Sequence, residues 1–305
     1  MAQALAPDYP WAMFHDPASP PLSAPAPALR GAMQRASGEA AVTMRQRGGR
    51  TQVADLAQSG SARAMLPRVH GTDPEVVFLN TAGGLTGGDA LRYSLDLGPG
   101  ARAVATTQTA ERAYDAGGPG GGRATMQVRL TLGQGAHADW LPQETILYDR
   151  AALSRRTRAD LAPGASVLLA EMLVLGRAAM GEQVAHLALS DRREVWRGAV
   201  PVLVDPFALT DASLCLPGTG PRPALLAGAR AVAMLALVAE GAEDAAAPLR
   251  AALARLEGAE AAVSGWDGRC LVRLRAPDGL PMRRAVARAL HILRGGASLP
   301  RVWQI

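Results

Sequence analysis

The chain has 305 residues, 49% of them hydrophobic and 19% charged, with a formal net charge of +5. That composition supports a sizeable core and excludes a wholly disordered chain. All 32 residues of the Lys and Arg class are arginine, which removes chemistries that need a lysine, such as the P-loop and the Schiff base.

Residues 1–39 are rich in Pro and Ala and read as an extended arm without a packed core. The opening MAQALAPDYPWAMF has no basic stretch followed by an apolar one, so no secretory leader is expected. Mean hydropathy is +0.05, and no apolar run approaches the ~20 residues of a membrane span. A cytoplasmic protein is expected. Its two cysteines, Cys215 and Cys270, read as buried free thiols in a reducing compartment.

Residues 40–215 alternate apolar and polar side chains between Gly-containing turns, which predicts strands. AVTMRQ and TQVADLAQ flank RGGR as a hairpin. EVVFLN, ALRYSLDL, ARAVATTQT, MQVRLTL, AHADWLP, RTRADL, SVLLAEMLVLG and EQVAHLALSDRREVWRG follow as strands. LDLGPGARA, LTLGQGAHA and ADLAPGASV share one plan, with turn glycines Gly100, Gly135 and Gly164 spaced 35 and 29 residues apart. A unit recurring at such intervals predicts stacked β layers of β-helix or solenoid character, the alternative being three ordinary hairpins with similar turns. Residues 216–305 read as a small α+β lobe. ARAVAMLALVAEG fits strand or helix. DAAAPLRAALARLEG is a helix between Asp244 and Gly258, Asp267-Gly268 turns a hairpin, and LPMRRAVARALHILRGG is amphipathic, with Met282, Val286, Leu290 and Leu293 on one face.

Chemistry concentrates in a few stretches. LNTAGGLTGGD holds Gly83, Gly84, Gly87, Gly88 and then Asp89. It suits either a phosphate cradle or a close approach of two β layers. Thr106, Thr107 and Gln108 lead into Glu111-Arg112. Glu144, Glu171 and Glu182 lie among apolar residues, with Arg177 as the obvious partner of Glu171 or Glu182. These groups fit a buried ion pair or a polar channel. H-E-x-x-H and G-x-S-x-G are absent, the five histidines do not cluster, and the arginines are scattered among acids, which disfavours nucleic acid.

The ordered set FLNTAGGLTGGD, TTQTAERAY, ADWLPQETILYD, LVLGRAAMGE and PRVWQI resembles the UreD (UreH) family of urease accessory proteins, from about Ala40 to the C-terminus. At the second motif the chain has Glu111-Arg112-Ala113-Tyr114 where the family usually carries a lysine; arginine keeps the charge but not the compact ammonium. The resemblance implies a mainly β, non-enzymatic maturation factor. It would bind UreF, which binds the GTPase UreG, and dock on apo-urease to help install nickel supplied by UreE. GTP would belong to UreG, no cofactor would be held tightly, and neither nucleic acid nor membrane would be a partner. It further implies an internal nickel tunnel. A conduit must release its cargo, so oxygen ligands suit it better than His or Cys. The candidates are Asp89, Glu144, Glu171 and Glu182 as lining, with Arg177 and Thr106-Thr107-Gln108 shaping the path.

Overall fold

The computed structural model describes residues 35–68, 73–118, 121–214 and 226–304. Most of the expected arm, Cys215 and the boundary expected at 215–216 lie outside these residues.

Alternation sets the pattern. In β1 (Ser37–Arg47) Ala40, Val42 and Met44 are buried, while Ala41 and Thr43 between them are partly exposed and Glu39 before them is exposed. β2 (Arg50–Gly60) returns through the expected RGGR hairpin, with Gly48 and Gly49 both at positive φ, as a two-residue turn requires. β3 (Ala62–Met65), β4 (Glu75–Asn80), β5 (Ala90–Leu97), β6 (Arg102–Thr107) and β7 (Glu111–Ala113) follow. Next come β8 (Ala124–Leu132), β9 (His137–Leu141), β10 (Thr145–Leu147), β11 (Ala151–Leu161) and β12 (Ser166–Leu175). The chain continues through β13 (Leu187–Arg197), β14 (Val200–Thr210), β15 (Ala231–Val238), α1 (Ala246–Leu253), β16 (Glu260–Trp266), β17 (Arg269–Ala276) and α2 (Gly279–Leu293).

These strands form two sheets. The first runs β14-β13-β11-β8-β5-β1-β2; the second runs β16-β17-β15-β12-β9-β6-β4-β3, with β7 and β10 beside β12. From β4 to β13 the chain alternates between sheets, and each new strand lies parallel to the one before it in its own sheet. The step from first to second sheet is always a four-residue turn: 98–101, 133–136 and 162–165. Gly100, Gly135 and Gly164 adopt φ of 68°, 65° and 71° there. The turns stack: the Gly100 N–H donates to Gln134 O (2.8 Å) and the Gly135 N–H to Pro163 O (3.1 Å). The sequence repeat is therefore one winding of the chain. Neither sheet closes, however, and the β-helix or solenoid character expected from the repeat is not shown; the fold is mainly β with two helices.

The layers are sheet, sheet and helix. Phe78, Tyr93 and Trp140 pack between the sheets, with Phe78 4.8 Å from Tyr93 and 6.0 Å from Trp140 between ring centres. Leu168, Leu235 and Val272 face the other way, onto Leu249, Met282, Val286 and Leu290 of the helices. β12 is thus covered on both faces, which explains its unbroken apolar run SVLLAEMLVL. The open choice for 229–241 resolves as strand β15, which joins the second sheet along with β16 and β17. The helix expected over 244–258 is shorter, eight residues: its first turn is 3₁₀ and it ends at Leu253, ahead of turn residues up to Gly258. Asp278 caps α2 by accepting from the Gly279 N–H at 2.6 Å.

Candidate functional site

The return steps, from second sheet to first, are long. They are residues 81–89, 108–123, 142–150 and 176–186, and all emerge at the end of the sandwich opposite the stacked turns. LNTAGGLTGGD, TTQTAERAY, LPQETILYD and LVLGRAAMGE coincide with these four connections. Their backbones bond in sequence. Leu85 N–H donates to Arg112 O (2.7 Å) and Tyr114 N–H to Leu85 O (2.8 Å). Glu111 N–H donates to Glu144 O (2.9 Å), Tyr148 N–H to Ala113 O (3.0 Å), and Gly176 N–H to Leu147 O (2.8 Å). The fifth motif, PRVWQI, reaches the same set: Trp303 Nε1–H donates to Leu141 O at 2.9 Å, and Arg283, which stacks on Trp303, donates to Gln143 Oε1 at 2.5 Å.

The glycine loop serves close approach. A Cβ on Gly84 would strike Tyr114 and lie 2.8 Å from Arg112 O. One on Gly87 would collide with the Gly121 and Ala116 carbonyls. Gly83 and Gly88 take φ of 78° and 87°. Asp89 is buried and closes the loop, its Oδ2 accepting from Thr86 N–H and its Oδ1 from Ala36 N–H, both at 2.8 Å. Its carboxylate is thereby occupied by backbone.

The other candidates stand apart from it. Thr106 is buried and donates to Leu141 O at 2.6 Å, while Thr107 accepts from the Gln143 N–H at 2.9 Å. Thr107 and Gln108 line a cavity of about 50 Å³ with Phe78, Asn80, Tyr93 and Glu111. Glu144 is half-buried, and among the described residues its carboxylate pairs with Arg283 alone, at 3.4 Å. Glu182 binds Arg177 Nε at 2.8 Å and accepts from Asp149 N–H at 3.2 Å. Burial opposes its ionisation, but these bonds outweigh burial and hold its carboxyl below the usual range. Arg177 also lies over Tyr148 at 4.7 Å, and Tyr148 meets Tyr114 edge-on at 4.9 Å.

Glu171 has a different partner from the Arg177 expected. Its carboxylate is buried between the sheets and accepts from Trp140 Nε1 (3.1 Å) and Thr157 Oγ1 (2.8 Å), with Arg155 at 2.7 Å. Arg155 also binds Asp191 at 2.6 Å, and the row continues through Arg193 and Asp205 to Arg273. This row reaches a cleft of about 400 Å³ walled by Phe207, Leu226, Met234 and Leu274. Burial works against the Asp191 carboxylate, yet Arg155 and Arg193 keep its pKa below the usual range. The four candidate carboxylates are not brought together, and among the described residues no group of three His, Cys, Asp or Glu is placed to hold a metal ion.

Sequence reasoning noted Glu111 beside Arg112 but did not place it among the candidate carboxylates. Burial pushes its carboxyl up, against hydrogen bonds from the Arg112 N–H and Asn80. Its position in the TTQTAERAY motif was the available clue. Cys270, as expected, is buried and free.

The family model described as UreD urease accessory protein matches residues 36–304. A urease accessory protein UreD of Cereibacter sphaeroides is 55% identical over 277 residues, covering 90% of this chain and 97% of the relative. That of Dinoroseobacter shibae is 52% identical over 281 residues (91% and 95%), and that of Rhizobium leguminosarum 39% over 272 (89% and 96%). With the family's motifs gathered on one end of a two-sheet frame and the match running nearly the full length, the chain belongs to the UreD family of urease accessory proteins.

Proposed function

We propose that this protein is a non-enzymatic factor of urease maturation. It joins a UreF-type protein and, through it, a UreG-type GTPase, docks on apo-urease, and helps place nickel from a UreE-type donor in the active site. The observation that carries this is the family match over residues 36–304. The gathering of the motif connections at one end supports a docking role, since binding residues concentrate on loops held by a rigid frame. GTP chemistry falls to the partner, because this chain has no lysine for a P-loop. The assembly works in the cytoplasm; no described helix is long and apolar enough to cross a membrane. The two-sheet winding is an open form of a β-helix.

Nickel is cargo, held briefly by oxygen ligands that exchange readily. Among the four carboxylates, Glu144 has the oxygens least engaged by the protein, with one contact at 3.4 Å. Glu171 is saturated by Trp140, Thr157 and Arg155 and fixes the frame of the path. Asp89 and Glu182 hold the connections around it.

The experiment restores variants to cells lacking this gene and measures urease nickel content alongside co-purification of the partners. Without the gene, urease should emerge as apo-enzyme. Glu144→Gln should lower nickel loading at least fivefold with assembly intact, whereas Glu171→Gln should lower assembly itself. Full nickel loading in the absence of the gene would refute the proposal.

A further inference from the structure

The row of charges buried between the sheets holds one guanidinium whose donors the protein leaves unused. Arg193 on β13 is only 3% exposed, yet among the described residues it donates no hydrogen bond. Its carboxylate neighbours are engaged elsewhere. Asp191 accepts from Arg155 Nε at 3.0 Å and Nη2 at 2.6 Å, and lies 3.6 Å from Arg193 Nη1, too far for a hydrogen bond. Asp205 Oδ1 accepts from Arg273 Nη2 at 2.5 Å. Arg193 Nε meets Asp205 Oδ2 at 3.2 Å but off the hydrogen-bonding line, so both atoms are enclosed and unsatisfied. Buried side-chain donors nearly always find an acceptor.

Only Nε of this guanidinium is fully enclosed; Nη1 and Nη2 border the cleft of about 400 Å³ on the open side of the sandwich. There β13 and β14 of the first sheet face β12, β15, β17 and β16 of the second. Leu173, Phe207, Leu226 and Met234 give the cleft apolar walls. Its charged lining is balanced: Glu171, Asp205 and Glu260 stand against Arg193, Arg273 and Arg275. The next pair inward, Arg155 with Asp191, keeps that balance, and Glu260 is matched by Arg275 at 2.6 Å. What the cleft lacks is therefore a hydrogen-bond acceptor and not a charge. An anion would bring uncompensated charge between the sheets, and a cation would meet the guanidinium.

We propose that this cleft binds an uncharged, largely apolar small molecule through a carbonyl oxygen that accepts from Nη1 and Nη2 of Arg193. Apolar walls with a few placed polar groups, at a volume between about 300 and 1,000 Å³, are the usual make-up of a small-molecule site. The planar fork of the guanidinium offers its donors in a fixed geometry, so one carbonyl is oriented while the apolar body lies against Phe207 and Met234. The site does not depend on how nickel is handled.

The test titrates the full chain at pH 7.5 with octanamide, octanoate and octylamine, three probes of one chain length that differ in head group and charge, by calorimetry. Octanamide should bind saturably at one site, and the anionic and cationic probes about tenfold more weakly or worse, as the loss of one well-paired polar contact implies. Arg193→Met removes the donors and should weaken octanamide about tenfold. A second variant leaves the buried charges intact. Ala262 is exposed and lies opposite Arg273 in register, so its side chain shares the face on which Arg273 reaches Asp205. Ala262→Trp should fill the cleft and weaken octanamide at least about tenfold, with a melting temperature within about 2 °C of wild type, as for other exposed substitutions. No saturable binding of octanamide, equal or tighter binding of octanoate or octylamine, or unchanged affinity in a folded Ala262→Trp would each overturn the proposal.

Discussion

Glu111 shows how one side chain ties stability to pH. Burial raises its pKa above that of the unfolded chain, where a glutamate titrates near ~4.3. A carboxylate so raised contributes stability that is fully present below the unfolded value and is lost as pH rises through the folded one. At neutral pH the fold therefore holds this charge at a cost. Glu111→Gln keeps an acceptor for the Arg112 N–H without the charge. It should melt about 2–4 °C higher than wild type at pH 7.5, with the advantage vanishing near pH 4. Melting curves for both proteins from pH 4 to 8 give the comparison directly. Asp191 acts in the opposite direction, since its lowered pKa removes stability only as pH falls through the acid range. Both proteins share that loss, so it cancels in the difference.

At the scale of elements, the glycine loop separates two reasons for glycine. Gly83 needs one for its φ of 78° but has open space around it, whereas Gly87 is fenced by the carbonyls of Ala116 and Gly121. Gly83→Ala should cost about 1 kcal/mol, as a strained residue does. Gly87→Ala should cost more than about 2 kcal/mol, because backbone must move; urea unfolding of the two variants measures the gap. What the sequence disclosed follows the same division between local and distant. Alternation in RTRADL puts Thr157 and Ala159 on one face, and carried one step back it places Arg155 inward too. Arg177 finds Glu182 five residues away, a pairing open to local reading. The partner of Arg155 is Asp191, on the adjacent parallel strand 36 residues later, and nothing local marks it. β14 escaped prediction because Pro201 and Pro206 argue against a strand; it forms at the sheet edge, where proline is tolerated. The motifs were legible as segments, but their meeting at one end depends on sheet order.

For the whole molecule, the C-terminal segment closes the helical layer. Trp303 is buried, bonds Leu141 O and sits under Arg283. Trp303→Ala should destabilise the protein by about 3–5 kcal/mol. It should also raise its tendency to aggregate, as the cover over the second sheet loosens; urea unfolding and light scattering together report both. The long and short connections also divide the labour of the two ends. Motifs occupy one, while the other carries the stacked four-residue turns and the short hairpins at 48–49, 198–199 and 267–268, and a Cβ on Gly135 there would meet nothing within 4 Å. A fluorophore or affinity handle grafted at that blunt pole would ride on the protein without obstructing the business end, giving a place to watch assembly from behind.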